Sequence, residues 1–198
     1  MDRCNLPYAA LGQRIGLLGG SFDPAHRGHV AITMAALKRF GLDRVWWLVT
    51  PGNPLKDRGP ASMERRLDQA AQIMQHPRVT ITDIERQLGT RYTADTLRAL
   101  GQRYPHVAFT WVMGADNLAD FHRWQNWQYI MATVRIGVLA RPGDRVAART
   151  SKAAKMFRGW RVPSQALASA PAPAWAFENF PMRDVSSSAI RAAGQWPT

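Results

Sequence analysis

The chain has 198 residues, of which 46% are hydrophobic and 20% charged, a composition typical of one globular domain with a sizeable core. Its net charge of +12 indicates a polyanionic partner, either free nucleotide or nucleic acid. The alternative is a charged surface that serves only solubility. The single cysteine, Cys4, excludes an intrachain disulfide and a four-cysteine zinc site, and the longest strongly apolar stretch, residues 45–49, is too short to span a bilayer.

Strand-like and helix-like segments alternate along the sequence. Short apolar runs predict strands at 14–20, 44–50, 78–84, 107–113, 136–140 and, at a sheet edge, 174–177. Apolar periodicity and capping residues predict helices at 29–40, from a Ser62 cap to about residue 75, from a Thr93 cap to about residue 104, and at 144–161, with a low-complexity connector at 166–173. The alternation predicts an α/β fold, a Rossmann-like doubly wound parallel sheet with helices on both faces. Residues 14–198 are expected to form one domain behind a short N-terminal arm, residues 1–13.

The most informative segment is GGSFDPAHRGH, residues 19–29, between the first predicted strand and the first predicted helix. Open parallel sheets place their ligands at this position. Its leading glycines let the backbone turn tightly and approach a ligand. The helix that begins near Gly28 offers N–H groups and a positive dipole end to an anion. Because His26 and His29 are one helical turn apart, both rings can face the same phosphates.

Other interpretations of this segment fit less well. It lacks the Gly-Lys-Ser/Thr ending of a Walker loop and the GxGxxG turn of dinucleotide-binding proteins. A zinc site formed by His26, His29 and Asp23 is conceivable, but no third soft ligand is close in the sequence. A glycine turn with two incidental histidines is the remaining structural alternative.

The segment resembles the GxFDPxHxGH signature of the nucleotidylyltransferase superfamily, and SSSAIR, residues 186–191, resembles its second signature, ISSTxIR. The resemblance implies a Rossmann-like sheet that carries ATP or CTP. Alone, the second segment would equally fit a serine-rich helix cap with a surface arginine. Together the two signatures imply catalytic roles for His26, His29 and Arg191, and ATP contacts by Gly19, Gly20, Ser21, Phe22, Gly28, Ser187 and Ser188.

Further segments are similar to those of bacterial nicotinate-nucleotide adenylyltransferases. RYTADTL, residues 91–97, resembles that family's SYTxDTL, and GADNL, residues 114–118, followed by Trp124 and Trp127, resembles its GxDNL…WxxW block. Residues 82–85 and 141–143 also fall where the family carries similar stretches, so the likeness runs in order from about residue 14 to 191. It implies transfer of the adenylyl group of ATP to nicotinate mononucleotide by in-line attack on the α-phosphorus. It also implies Mg²⁺ that arrives with ATP and is held by phosphates and water, with no metal ligand from the protein.

The acceptor would be held by residues in these segments. Trp124 and Trp127 are three apart, which predicts one helix face on which a ring can stack on the pyridine, although core packing would also explain them. The Tyr92–Thr93 turn opens a helix whose N–H groups can bind the nicotinate carboxylate, which predicts preference for the acid over the amide. Asp116, at the end of the fourth predicted strand, is placed to accept ribose hydroxyls or to help hold a metal ion. The family favours the first role, and a purely structural aspartate is the alternative.

The sequence departs from the family pattern at three places. PGNPLK, residues 51–56, is shorter than the usual PxxxPPHK and lacks its histidine, so Lys56 is assigned the phosphate-binding charge there. Arg91 replaces the serine of SYTxDTL, and few residues follow Arg191. A homodimer is compatible with the sequence but not indicated by it.

Two alternatives remain open from the sequence. Pantetheine-phosphate adenylyltransferase shares the first signature but generally lacks the YTxDTL and WxxW segments. A basic RNA-binding module would use the positive stripe at 145–155 and would bind RNA with steep salt dependence. The preferred hypothesis has ATP and nicotinate mononucleotide as partners, with neither nucleic acid nor membrane. Because residues 1–14 lack the features of a secretory signal, a cytoplasmic location is predicted.

Overall fold

The computed structural model describes residues 6–51, 59–140, 145–180 and 186–196. Within these ranges the strands are β1 (Arg14–Gly20), β2 (Arg44–Val49), β3 (Val79–Thr82), β4 (Ala108–Gly114), β5 (Arg135–Ala140) and β6 (Trp175–Asn179). They pair in parallel in the order β3-β2-β1-β4-β5-β6, with β6 at one edge as predicted. The chain therefore reverses its winding between β1 and β4, which is the doubly wound, Rossmann-like arrangement. The predicted fold class is confirmed.

Helices cover both faces of the sheet. They are α1 (Arg27–Arg39), α2 (Met63–Ile73), α3 (Ile84–Leu88), α4 (Thr93–Arg103), α5 (Ala115–Asp120), α6 (Trp127–Thr133), α7 (Arg145–Arg149), α8 (Lys152–Met156) and α9 (Ser187–Ala192). Successive strand residues point to opposite faces. Trp46 packs in the core formed with α4, α5 and α6, whereas Trp47 packs in the core formed with α1 and α2. Both indoles are fully buried, so the sheet is apolar on its two sides.

Several predicted boundaries are wrong, and helix capping explains most of them. The predicted strand 78–84 ends at Thr82, because Asp83 is the N-cap of α3, a short helix that was not predicted from the sequence. The helix predicted from a Thr93 cap has Tyr92 as its N-cap, with Thr93 as its first residue. The helix predicted at 144–161 is broken after α7, where the Ser151 hydroxyl accepts the N–H of Ala154 and starts α8. That break removes the continuous basic stripe on which the RNA-binding alternative rested.

The first described residues and the predicted connector pack on the rest of the structure. Pro7 accepts a hydrogen bond from the Tyr104 hydroxyl at 2.8 Å, and Gly12 donates to the carbonyl of His106. The connector predicted at 166–173 contains the end of a 3₁₀ helix, Ser164–Ser169. The division into an arm and one domain stays a prediction. In the described part of the chain, no helix has the length and apolarity needed to cross a membrane.

Gly137 in β5 lies directly under a buried aromatic ring. A Cβ at this position would stand 2.5 Å from the Phe40 ring, which is fully buried. Overpacking of this kind destabilises a core by about 1–3 kcal/mol, so Gly137→Ala should lower the free energy of unfolding by that amount. Gly101 in α4 has no neighbour within 4 Å of the same added atom. Gly101→Ala should instead stabilise by about 0.5–1 kcal/mol, and urea unfolding of both variants tests the opposite signs.

Candidate active site

A cavity of about 560 Å³ opens at the carboxyl ends of β1 and β4, where the sheet reverses its winding. Open α/β sheets bind ligands at this crevice, and the volume suits a small organic molecule. Most of the predicted site residues line it: Gly19, Gly20, Ser21, Phe22, His26, His29, Tyr92, Thr93, Asp116 and Trp124. Fold and sequence motif therefore converge on one cavity.

His26 and His29 interlock at the start of α1. The Nδ1 atom of His26 accepts the N–H of Gly28 at 3.1 Å, and the Nδ1 atom of His29 accepts the N–H of His26 at 3.1 Å. Two reciprocal bonds of this type form a capping box, here built from imidazoles. Because Nδ1 acts as an acceptor in both rings, each neutral imidazole carries its proton on Nε2. The ring centroids lie 3.9 Å apart, and both residues line the cavity.

The capping geometry changes the expected role of Gly28. The sequence analysis assigned its backbone N–H to ATP, but that N–H is already bonded to the His26 ring, and Gly28 is not among the residues that line the cavity. The helix begins at Arg27, one residue before Gly28. The two imidazoles thus cap the first turn of α1.

His29 contacts an aromatic stack formed by Phe22 and Trp47. The Phe22 ring lies 4.7 Å from His29 and is stacked on Trp47 at the same centroid distance. Phe22 is 1% exposed and has a φ of +46°, a left-handed conformation that is uncommon for a residue with a Cβ. Burial of this ring against Trp47 therefore holds the loop in a shape that keeps His29 at the cavity wall.

The two signature segments meet in space. Ser187 donates to the carbonyl of Pro24 at 2.9 Å, and Arg191 contacts both the carbonyl and the carboxylate of Asp23. Asp23, 5% exposed, also accepts hydrogen bonds from the N–H of Ala61 at 3.2 Å and from the indole of Trp196 at 2.7 Å. The second segment thus braces the loop that carries the histidines. Ser187, Ser188 and Arg191 do not line the cavity, whereas Ser186 does.

Arg66 in α2 is a buried clamp that the sequence analysis missed. Its guanidinium donates to the carbonyls of Ser21, Thr50 and Ala61, each at 2.8 Å, and the residue is 1% exposed. Burial lowers the pKa of Arg66, while the charge of Asp23 acts in the opposite direction. Arg66 lies on the same helix stripe as the buried Met63 and Ala70, and that spacing was the available signal.

One wall of the cavity is formed by the start of α4, the end of β4 and the Trp124 segment. Trp124 lies after a 3₁₀ turn and Trp127 opens α6, so the prediction that they share one helix face is wrong. Trp124 lines the cavity, with its ring edge-to-face against Trp111 at 6.1 Å. Trp127 is 7% exposed, packs on Phe121 and Phe157, and does not line the cavity.

Gly19 is needed for the packing beneath this wall. An added Cβ would stand 2.6 Å from the Trp111 ring, which itself supports Trp124. The absence of a side chain at Gly19 therefore lets the indole lie against β1, a role in packing that the sequence did not reveal. Gly20 has only ordinary contacts, the nearest at 3.4 Å from the Phe22 ring.

Glu85 is a second residue that the sequence analysis did not assign to the site. It lies in α3, lines the cavity and is 4% exposed. Burial raises the pKa of its carboxyl to about 7, and the hydrogen bond from the Thr96 hydroxyl at 3.2 Å acts against that shift. Periodicity gave no signal for Glu85. Only the resemblance of residues 82–85 to a family stretch marked its neighbourhood.

Two predicted segments fall where the structure is not described. Lys56 and residues 141–143 lie outside the described residues. Among the residues that the structure does describe, no group of three His, Cys, Asp or Glu side chains is arranged to hold a metal ion. Asp116, in the first turn of α5, also lines the cavity.

The sheet, the histidine cap and the cavity at the winding reversal are those of a nucleotidyltransferase, and over residues 17–193 the sequence matches the cytidylyltransferase-like family, to which the chain belongs. A protein of Ruegeria pomeroyi named "Probable nicotinate-nucleotide adenylyltransferase" is 61% identical over 197 residues, 98% of this chain and 92% of that protein. A protein of Methylorubrum extorquens with the same name is 48% identical and covers 90% of this chain and 98% of its own length. Within the family, the chain belongs with the nicotinate-nucleotide adenylyltransferases.

The solved structures agree on the fold. A nicotinic acid mononucleotide adenylyltransferase of Plasmodium falciparum, complexed with APC, superposes with a TM-score of 0.69 over 91% of this chain and 83% of that chain. A second structure of it, complexed with NaAD, gives the same TM-score. The sequence identities are 16% and 17%, so the architecture is shared while the sequences have diverged widely.

Proposed function

We propose that this protein transfers the adenylyl group of ATP to nicotinate mononucleotide, giving nicotinate adenine dinucleotide and pyrophosphate. A 5′-phosphate oxygen of the mononucleotide attacks the α-phosphorus, and the bond from that phosphorus to the bridging oxygen of the β-phosphate breaks. No protein nucleophile is needed, because the attacking group is already an anion. The observation that carries the proposal is the pair of histidines at the cavity wall in a chain 61% identical to named relatives.

The protein's own contribution is alignment and charge stabilisation. The Nε2 donors of His26 and His29 would bind phosphate oxygens whose negative charge grows in the transition state. ATP would enter as its Mg²⁺ complex, with the ion held by phosphates and water. Lys56 and Arg191 would offset further charge. For Arg191 this role competes with its contacts to Asp23, so its main effect would be to hold the histidine loop in place.

The acceptor would bind at the opposite end of the cavity. The first-turn N–H groups of α4, at Tyr92 and Thr93, would hold the nicotinate carboxylate. The exposed face of Trp124 would stack on the pyridine ring, and Asp116 would accept ribose hydroxyls. Trp127 would act only through the core that supports this wall. A cytoplasmic location stays a prediction from the sequence, and a homodimer stays compatible with the sequence without being indicated by it.

An acceptor assay tests the proposal. The protein is incubated with ATP, Mg²⁺ and, in separate reactions, nicotinate mononucleotide, nicotinamide mononucleotide or 4′-phosphopantetheine, and released pyrophosphate is measured. We expect the highest kcat/KM with nicotinate mononucleotide. Preference for 4′-phosphopantetheine would favour the pantetheine-phosphate alternative. Tight, salt-dependent RNA binding without pyrophosphate release would instead favour the RNA-binding module.

A further inference from the structure

The carboxyl of Glu85 lies in the wall of the cavity beside the first turn of α4. Its Oε1 accepts the hydroxyl of Thr96, which also bonds the backbone carbonyl of Tyr92 at 3.2 Å. Glu85, Tyr92 and Thr93 all line the cavity. In the described part of the chain Glu85 forms no ion pair. A buried acidic group without a cation partner thus stands next to the turn that would receive the acceptor's pyridine substituent.

The two forms of the acceptor differ only in that substituent, which is a carboxylate in one and a neutral carboxamide in the other. A neutral Glu85 can donate a hydrogen bond toward a carboxylate, whereas an ionised Glu85 repels it and can accept from a carboxamide N–H. We infer that Glu85 is a specificity-determining residue, whose protonation state sets the discrimination between acid and amide acceptors. This inference rests on the proposed function. It adds the residue that sets the preference for the acid acceptor and the direction in which that preference changes with pH.

Other titratable groups around Glu85 do not distinguish the two acceptors in the same way. On its own helix, Asp83 and Arg86 pair with each other. On α4, Asp95 pairs with Arg98 outside the cavity. The remaining charged or titratable groups along the cavity wall are His26, His29, Arg91, Asp116 and Arg123. Groups that bind the phosphate or the ribose, which both acceptors carry, act equally on both, and every group except Glu85 is unchanged in Glu85→Gln. A ratio of the two activities therefore removes their contribution.

The test measures kcat/KM for nicotinate and for nicotinamide mononucleotide between pH 6 and pH 8, each on the same enzyme preparation. Because burial raises the pKa of Glu85 to about 7, this window takes the carboxyl from mostly neutral to mostly ionised. A like charge at close range shifts binding by about one pKa unit or more, so the acid-to-amide ratio should fall about tenfold as the pH rises. In Glu85→Gln the ratio should stay flat, near the wild-type value at pH 6.

Asp95→Asn is the matched control, because it removes a carboxyl from the first turn of α4, the helix that Glu85 contacts through Thr96, and Asp95 does not line the cavity. Its ratio should fall as in wild type. Incomplete folding of a variant does not move the ratio, since both acceptors are assayed on one preparation. Product formation with a flat wild-type ratio, or with the same fall in Glu85→Gln, overturns this inference alone. No product with either acceptor at any pH overturns the proposed function, and the inference with it.

Discussion

Replacement of His29 by alanine is expected to lower kcat by about 10²–10³, the usual loss when one donor to a developing oxyanion is removed. The KM for ATP should change much less, since the donor matters most where charge accumulates in the transition state. The structural basis is the capping geometry, in which His29 Nδ1 accepts from the N–H of His26 and leaves the proton on Nε2 at the cavity wall. Steady-state kinetics measure the effect.

The alanine variant also loses a cap and a ring contact with Phe22, so a second variant is needed. Asparagine at position 29 offers an amide oxygen that can accept from the N–H of His26 but supplies no donor at the position of Nε2. We expect His29→Asn to recover most of the roughly 1 kcal/mol that the lost cap costs and to remain as slow as alanine. Recovery of kcat in the asparagine variant would show that His29 serves the helix and not the reaction.

Arg66→Met should have the largest effect on stability, a loss of about 3–5 kcal/mol. The substitution leaves three carbonyls, those of Ser21, Thr50 and Ala61, without the donor that bonds them at 2.8 Å, and each unsatisfied buried acceptor costs roughly 1–3 kcal/mol. Because Ser21 and Thr50 line the cavity, activity should fall with stability. Urea unfolding gives the free energy change directly.

Two comparisons make the Arg66 result specific. Arg66→Lys keeps the charge but lacks the planar fork that reaches several carbonyls at once, so it should recover only part of the loss. Arg103→Met, at the exposed end of α4, should change the free energy of unfolding by no more than about 0.5 kcal/mol. If Arg66→Met is as stable as Arg103→Met, the three carbonyls are satisfied without the guanidinium.

The bracing of the histidine loop explains why two distant sequence segments act together. Ser187 and Arg191 bind the backbone of Pro24 and Asp23, and Arg66 binds the backbone of Ser21. All of these contacts are made to the loop between β1 and α1. The second signature therefore contributes to the site chiefly by fixing the position of the first.

Helix and strand boundaries were predictable where local chemistry decides them. The limits of β1 are those expected from its apolar run, and Ser62 caps α2 as its hydroxyl suggested. Prediction failed where packing overrides periodicity. Ala153 and Ala154 are buried in the core beside α5, and the helix restarts at Ser151 to put them there instead of continuing as one amphipathic helix.

The sequence by itself determined the fold class, the position of the turn that carries His26 and His29, and the family, because strand periodicity and ordered motifs are local properties of the chain. Only the tertiary structure decided which tryptophan faces the cavity, that the His26 ring takes the N–H of Gly28, and that Arg66 and Glu85 belong to the site. These depend on side chains from separate elements that meet at one end of the sheet. Burial then lowers the pKa of Arg66 and raises that of Glu85, and burial is a property of the folded molecule that no segment carries alone.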